Sequence, residues 1–177
     1  MTRRTVLADS AKVVTLGLFN QCLQAEKQRP AEEYELKAAF LFNIAKFAEW
    51  PTDAFGEADS PIVVAIVGRD PFGARLDQLL QGQIVNGRHL RVERVATIGE
   101  LREVHIVFLN GVPVDAIRSG VLTVGDGKDF CSRGGMIALR IQNERLAMEV
   151  NLTAVNRGRL KLSAQLLKLA TITGGAV

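Results

Sequence analysis

Cysteine and histidine are scarce in this 177-residue sequence, with two of each. Cys22 and Cys131 are too few for a disulfide framework. No CxxC or HExxH spacing occurs, and His89 and His105 sit apart in apolar or alternating runs. The roughly four converging ligands of a zinc site are therefore missing, and both histidines read as core or surface residues. Also absent are a GxGxxG turn, a phosphate loop with its lysine, and a GxSxG elbow. Aromatic residues make up 6%, eight of them Phe, so aliphatic side chains must fill the core. Beyond the N-terminal segment no run of about 18 apolar residues could cross a membrane. The net charge of +3 is too small to indicate nucleic acid.

What is present fits one domain: the length is typical of a single unit, and 47% hydrophobic residues supply a real core. The charge is uneven. The last fifty residues hold eight basic against three acidic side chains, a pattern that in most chains is a solvated face. At the N-terminus, Arg3 and Arg4 precede the apolar run Val13 to Phe19, as in an export signal cut after Ala25. Asp9 and Lys12 interrupt that pattern, and Leu23 is large for the position before a cut. The division expected is an export segment over 1–25, a polar linker over 26–33, one domain over 34–172 and a tail over 173–177.

Tyr34 to Trp50 is helical by spacing. Leu36, Phe40, Ile44 and Phe47 share one face, Lys37 and Lys46 lie off it, and Pro51 stops the helix. Pro61 to Val67 is a continuous apolar run ending at Gly68, as expected of a strand buried on both faces. A helix over Ala74 to Gln81 follows, then a weaker strand over Leu90 to Val95 and a short helix over Ile98 to Glu103. Val104 to Leu109 is a second buried strand. A short helix over Val112 to Ser119 and a third strand over Val121 to Val124 come next. This alternation predicts an α/β fold with an open, mainly parallel sheet flanked by helices. Met136 to Ile141 and Leu146 to Val150 then read as a β-hairpin, Leu152 to Val155 as a helical turn ended by Gly158, and Ala164 to Ala170 as a terminal helix capped by Ser163.

Four stretches together resemble one family. Lys37 to Pro51 is similar to the opening helix and Trp-Pro of YfiR/HmsC-like proteins, with Phe40, Phe47, Trp50 and Pro51 as its marks. Ile66 to Gly73, with Gly68, resembles the first strand and turn. Gly134-Gly135-Met136 and Met148 to Leu152, with Gly135 and Asn151, resemble the C-terminal signature. The resemblance spans residues 34–170. It implies a non-catalytic periplasmic protein, without cofactor or metal, that restrains an inner-membrane diguanylate cyclase and so lowers cyclic-di-GMP and biofilm formation. It also suggests a homodimer. In some relatives a cysteine near Cys131 is half of a disulfide; here Ala138 stands where the other half is expected.

Two places could hold a ligand. Arg69 and Asp70 follow the first buried strand, at the end where open sheets bind ligands, although a structural turn is the plainer reading. Arg157, Arg159 and Lys161 would line one edge of an extended segment and could hold an anion or acidic partner. The alternative function is thus a module that senses a nucleotide or other organic anion. Val104 to Leu109 runs into Asn110 instead of an aspartate, which argues against a phosphoryl acceptor.

Overall fold

The structure is a computed structural model that describes residues 31–114, 117–143 and 145–174. Helix α1 covers 31–47. It leads into the short strand β1 (Ala48–Glu49), which pairs antiparallel with β9 (Lys161–Leu162). The main sheet uses β2 (Ile62–Val67), β3 (Ile84–Val85), β4 (Arg88–Val95), β5 (Ile106–Leu109), β6 (Leu122–Gly125), β7 (Ile137–Gln142), β8 (Arg145–Asn151) and β10 (Ala170–Thr173). Helices α2 (Ala74–Leu80), α3 (Leu152–Arg157) and α4 (Ala164–Leu167) connect them.

The eight strands lie in the order β10-β8-β7-β6-β5-β2-β4-β3, all neighbours parallel except β7 with β8 and β3 with β4. All six residues of β2 are buried, as its uninterrupted apolar run requires. Its side chains alternate between two apolar clusters. Val64 and Ile66 join one, and Val63, Ala65 and Val67 the other. The first cluster takes residues from all four helices: Leu41 and Ile44 of α1, Leu76 of α2, Val155 of α3 and Leu166 of α4. Among the described residues the second contains none from an α-helix, and it is closed by the segments around Ile98, Val112 and Phe130. The expected open parallel sheet is present, with its helices on one face.

Several local expectations need correction. The buried face of α1 is Lys37, Ala38, Leu41, Ile44 and Ala45, whereas Leu36 is 43% exposed and Phe40 and Phe47 pack at the flank. The helix is turned by about one residue because the alanines let its backbone approach the sheet closely. It also begins before the expected Tyr34, and Ala48–Glu49 leave it to pair with β9. Residues 31–33, read as linker, are helical, and the rest of that linker and the export segment lie outside the described residues. The described part of Val112 to Ser119 is not helical but a strap across the second cluster. The helix expected over Ile98 to Glu103 is a single 3-10 turn, Ile98–Glu100. Ser163 does cap α4 by accepting from the Leu166 amide, but that helix ends at Leu167 and Ala170–Thr173 become a strand parallel to β8.

Two contacts fix the layers. Lys37 is 2% exposed, and its Nζ lies 2.9 Å from Oδ2 of Asp126 and 2.5 Å from Oε1 of Glu33. Asp126 directly follows β6 and also accepts from the Tyr34 hydroxyl at 2.8 Å. A buried ammonium needs such partners, because stripping its water is costly. On the second face the Phe130 ring lies between two glycines. A Cβ on Gly125 would fall 2.5 Å from the ring, and one on Gly135 2.3 Å from it.

Lys37→Ala is expected to destabilise the fold by about 3–5 kcal/mol in urea unfolding, because it leaves Asp126 without its counter-charge. Lys37→Met with Asp126→Asn should recover much of that loss, and purely additive effects would refute the coupling. Gly135→Ala should cost about 3 kcal/mol by overpacking against Phe130, and Gly135→Ala with Phe130→Leu should cost less than the two single changes summed.

Candidate functional site

The chain runs from β2 outward to β4 and then returns to place β5 on the other side of β2. The carboxyl ends of β2 and β5 therefore flank the switch point at which open sheets receive ligands. Arg69 and Asp70 sit there, but Asp70 is fully engaged. Its Oδ1 accepts from the Phe72 amide at 2.7 Å, and its Oδ2 accepts from Nε of Arg94 at 2.6 Å. Arg94 also donates to Asp77 and to the Gly73 carbonyl, so one guanidinium ties the loop to α2. The crevice beside it is filled from within: the Tyr34 ring meets Phe72 edge-on at 5.4 Å, and Phe72 meets Phe108 at 4.8 Å. Burial and the neighbouring Asp126 carboxylate push the Tyr34 hydroxyl pKa far above its usual value. Gly68, with φ of +79°, donates its amide to the Val95 carbonyl and turns the chain out of β2. These contacts hold the loop as a turn.

At the amino ends of the strands lies an aromatic group. The Trp50 Nε1 donates to the His105 carbonyl at 3.2 Å, and its ring packs on the first cluster. The Phe55 ring stacks on His105 at 4.3 Å, and the Arg88 guanidinium lies 3.8 Å from the Phe55 centroid. His105 is 3% exposed. Its Nδ1 accepts from the Val63 amide at 3.1 Å, which fixes Nε2 as the donor to the Ala54 carbonyl at 3.2 Å. The imidazole thus fills gaps in the backbone ladder, and neither ring nitrogen is free for proton transfer. His89 lies exposed on β4.

Cys131 is 2% exposed and unpaired among the described residues. Its thiol points at the Glu149 carbonyl, 3.5 Å away, and shares the second cluster with Ala138. Burial pushes its pKa up to about 11, with the Glu149 charge adding to the shift. Such a thiol is a poor nucleophile. Cys22 lies outside the described residues.

The basic stripe is not continuous. Arg157 ends α3, Gly158 caps it, Arg159 has φ of +59°, and only Lys161 lies in a strand. Arg159 is turned to the opposite side and pairs with Asp53 at 2.6 Å. Arg157 instead joins Arg118 and Arg133 at a cavity of about 430 Å³ at the amino ends of β6 and β7. The two further arginines are 39 and 24 residues away in sequence from Arg157. No local spacing links them, and only the fold brings them together.

Asn151 serves as a joint. Its Oδ1 accepts from the Ala154 amide and caps α3, while its Nδ2 donates to the Cys131 carbonyl at 2.9 Å.

Burial holds the His105 pKa below its ordinary value. The unfolded chain then binds the proton more readily than the folded one, so this contribution is complete above about pH 6.5 and is lost as pH falls below it. Urea unfolding across pH 7.5 to 5 should show that decline. His105→Phe should be less stable at pH 7.5 and should show a shallower decline; an unchanged slope would refute the assignment.

Among proteins of known family, a model described as YfiR/HmsC-like matches residues 34–171. That span takes in most of α1, the main sheet except the end of β10, the Trp50 group, the Asn151 joint and the glycines around Phe130. This chain belongs to the YfiR/HmsC-like family.

Proposed function

We propose that this protein is a periplasmic regulator that acts by binding, and that it restrains an inner-membrane diguanylate cyclase through that enzyme's periplasmic region. Family membership over 34–171 is the observation that carries the reading. The chemistry of the described residues supports it. The groups best suited to catalysis are engaged in holding the fold: both His105 nitrogens bond backbone, the Cys131 thiol is buried, and the switch-point carboxylate Asp70 is held by Arg94. No described helix is long and apolar enough to cross a membrane, so the action on a membrane enzyme would be made by contact.

The mechanism is thermodynamic. A protein that binds the inactive form of the cyclase more tightly than the active form shifts its population, by no more than that difference in affinity. Loss of the regulator therefore releases activity. Deleting the gene is expected to raise cellular cyclic-di-GMP and surface attachment, and expression of the chain in trans should reverse both. Unchanged cyclic-di-GMP in the deletion strain would overturn the proposal.

A further inference from the structure

The connection from β5 to β6 carries no helix among the described residues and crosses the second face as a strap. Where the strap meets α3 and the turn before β7, it leaves the cavity of about 430 Å³. That volume lies within the range of small-molecule sites, about 300–1,000 Å³. Its apolar wall is formed by Ile117, Val121, Met136 and Ala154. Three arginines stand around it: Arg118 from the strap, Arg133 from the turn before β7 and Arg157 from the end of α3. No aspartate or glutamate is among the described residues that line it.

These guanidiniums differ from those of five other described arginines. Arg75, Arg91, Arg94, Arg140 and Arg159 each meet a carboxylate. Arg133 and Arg157 make no side-chain hydrogen bond or ion pair among the described residues. Arg118 donates one N–H to the Arg102 carbonyl at 2.5 Å, and a guanidinium has five. The backbones that carry the three are held firmly. The Gly120 amide and the Ser119 hydroxyl both donate to the Gly158 carbonyl, at 2.9 and 3.2 Å, which fixes the strap to the end of α3. Gly134, with φ of +97°, and the Gly135 amide on the Phe130 carbonyl tighten the turn that presents Arg133.

Three guanidiniums that meet no carboxylate among the described residues, set over an apolar wall, match one kind of ligand: a compact apolar body bearing a phosphate or carboxylate. Arginine forks bind such oxygens in pairs, and the wall takes the body out of water. We infer that this cavity binds a small organic anion, with Arg133 and Arg157 gripping the charged group and Ile117 and Met136 covering the apolar part. A bare anion would leave the wall wet, and a neutral body would leave the charges unmatched. This inference goes beyond the regulatory reading and stands on the cavity alone.

Phenyl phosphate is a suitable probe, with inorganic phosphate and benzyl alcohol as its two halves. At about 150 mM ionic strength, where attraction beyond ~8 Å is screened, phenyl phosphate is expected to bind more tightly than either half by about tenfold or more in calorimetry. In protein carrying labelled methionine methyls, the Met136 signal should move while Met148, which does not line the cavity, stays in place. Arg133→Ala and Arg157→Ala should each weaken binding by about tenfold. Both residues are exposed, so unfolding of the unliganded variants should match the parent. Arg145→Ala, on the distant hairpin, should change nothing. Binding that survives the double variant, a Met136 signal that does not move, or equal binding of inorganic phosphate would overturn the site. None of these outcomes bears on cyclic-di-GMP in the deletion strain, so the two proposals fail separately.

Discussion

The buried ion pair of Lys37 with Asp126 sets the architecture. An ammonium that is 2% exposed persists only where a carboxylate meets it, and Asp126 is placed at the carboxyl end of β6 to do so. This fixes the first turns of α1 at one end of the sheet. The Trp50 indole, bonded to the His105 carbonyl, fixes the chain just after α1 at the other end. Seventeen helical residues reach about 25 Å, enough to cross a strand layer from end to end. Between these anchors Ala38, Leu41, Ile44 and Ala45 lie flat on the sheet. The same placement drives Tyr34 against Phe72 and closes the crevice where an open sheet would otherwise take a ligand. The fold has the strand order of a ligand-binding sheet and uses the usual entry for its own helix.

How much of this was legible in the sequence follows from how local each signal is. β2 and β5 could be read because a strand buried on both faces leaves an unbroken apolar run, and nothing distant alters that. The phase of α1 could not, since Leu36 and Phe40 satisfy a helical stripe as well as Leu41 and Ile44 do. What decides between them is how near the sheet allows the helix, and alanines on one side decide that. Lys37 looked like a surface lysine because its partner is 89 residues further on. Ala170 continued the helical reading of Leu166 to Leu169, Thr171 to Thr173 were read as no element, and only the edge of β8 makes the four a strand.

The site followed the same rule. Arg69 and Asp70 were visible as a turn after a strand, but the sequence around them says nothing of Arg94, whose guanidinium turns Asp70 into a brace. Arg157, Arg159 and Lys161 made a regular pattern only under the assumption of an extended chain. The helix end at Gly158 and the left-handed Arg159 break that assumption and send the charges different ways. The arginines that do share a cavity with Arg157 are contributed by segments with no common spacing.

Asn151 connects these two scales. Its carbonyl oxygen starts α3, at whose end Arg157 stands, and its amide nitrogen holds the Cys131 carbonyl at the head of the turn that carries Arg133. That turn can be tight only because Gly135 leaves room for the Phe130 ring, and the ring in turn roofs the cluster in which the Cys131 thiol is buried. Asn151 thus ties the start of the helix that ends at Arg157 to the turn that carries Arg133. A glutamine there would be one methylene too long to hold both partners at once. Gly134-Gly135 and Asn151 therefore have a geometric role: they close the turn over the buried Cys131 thiol and tie it to α3.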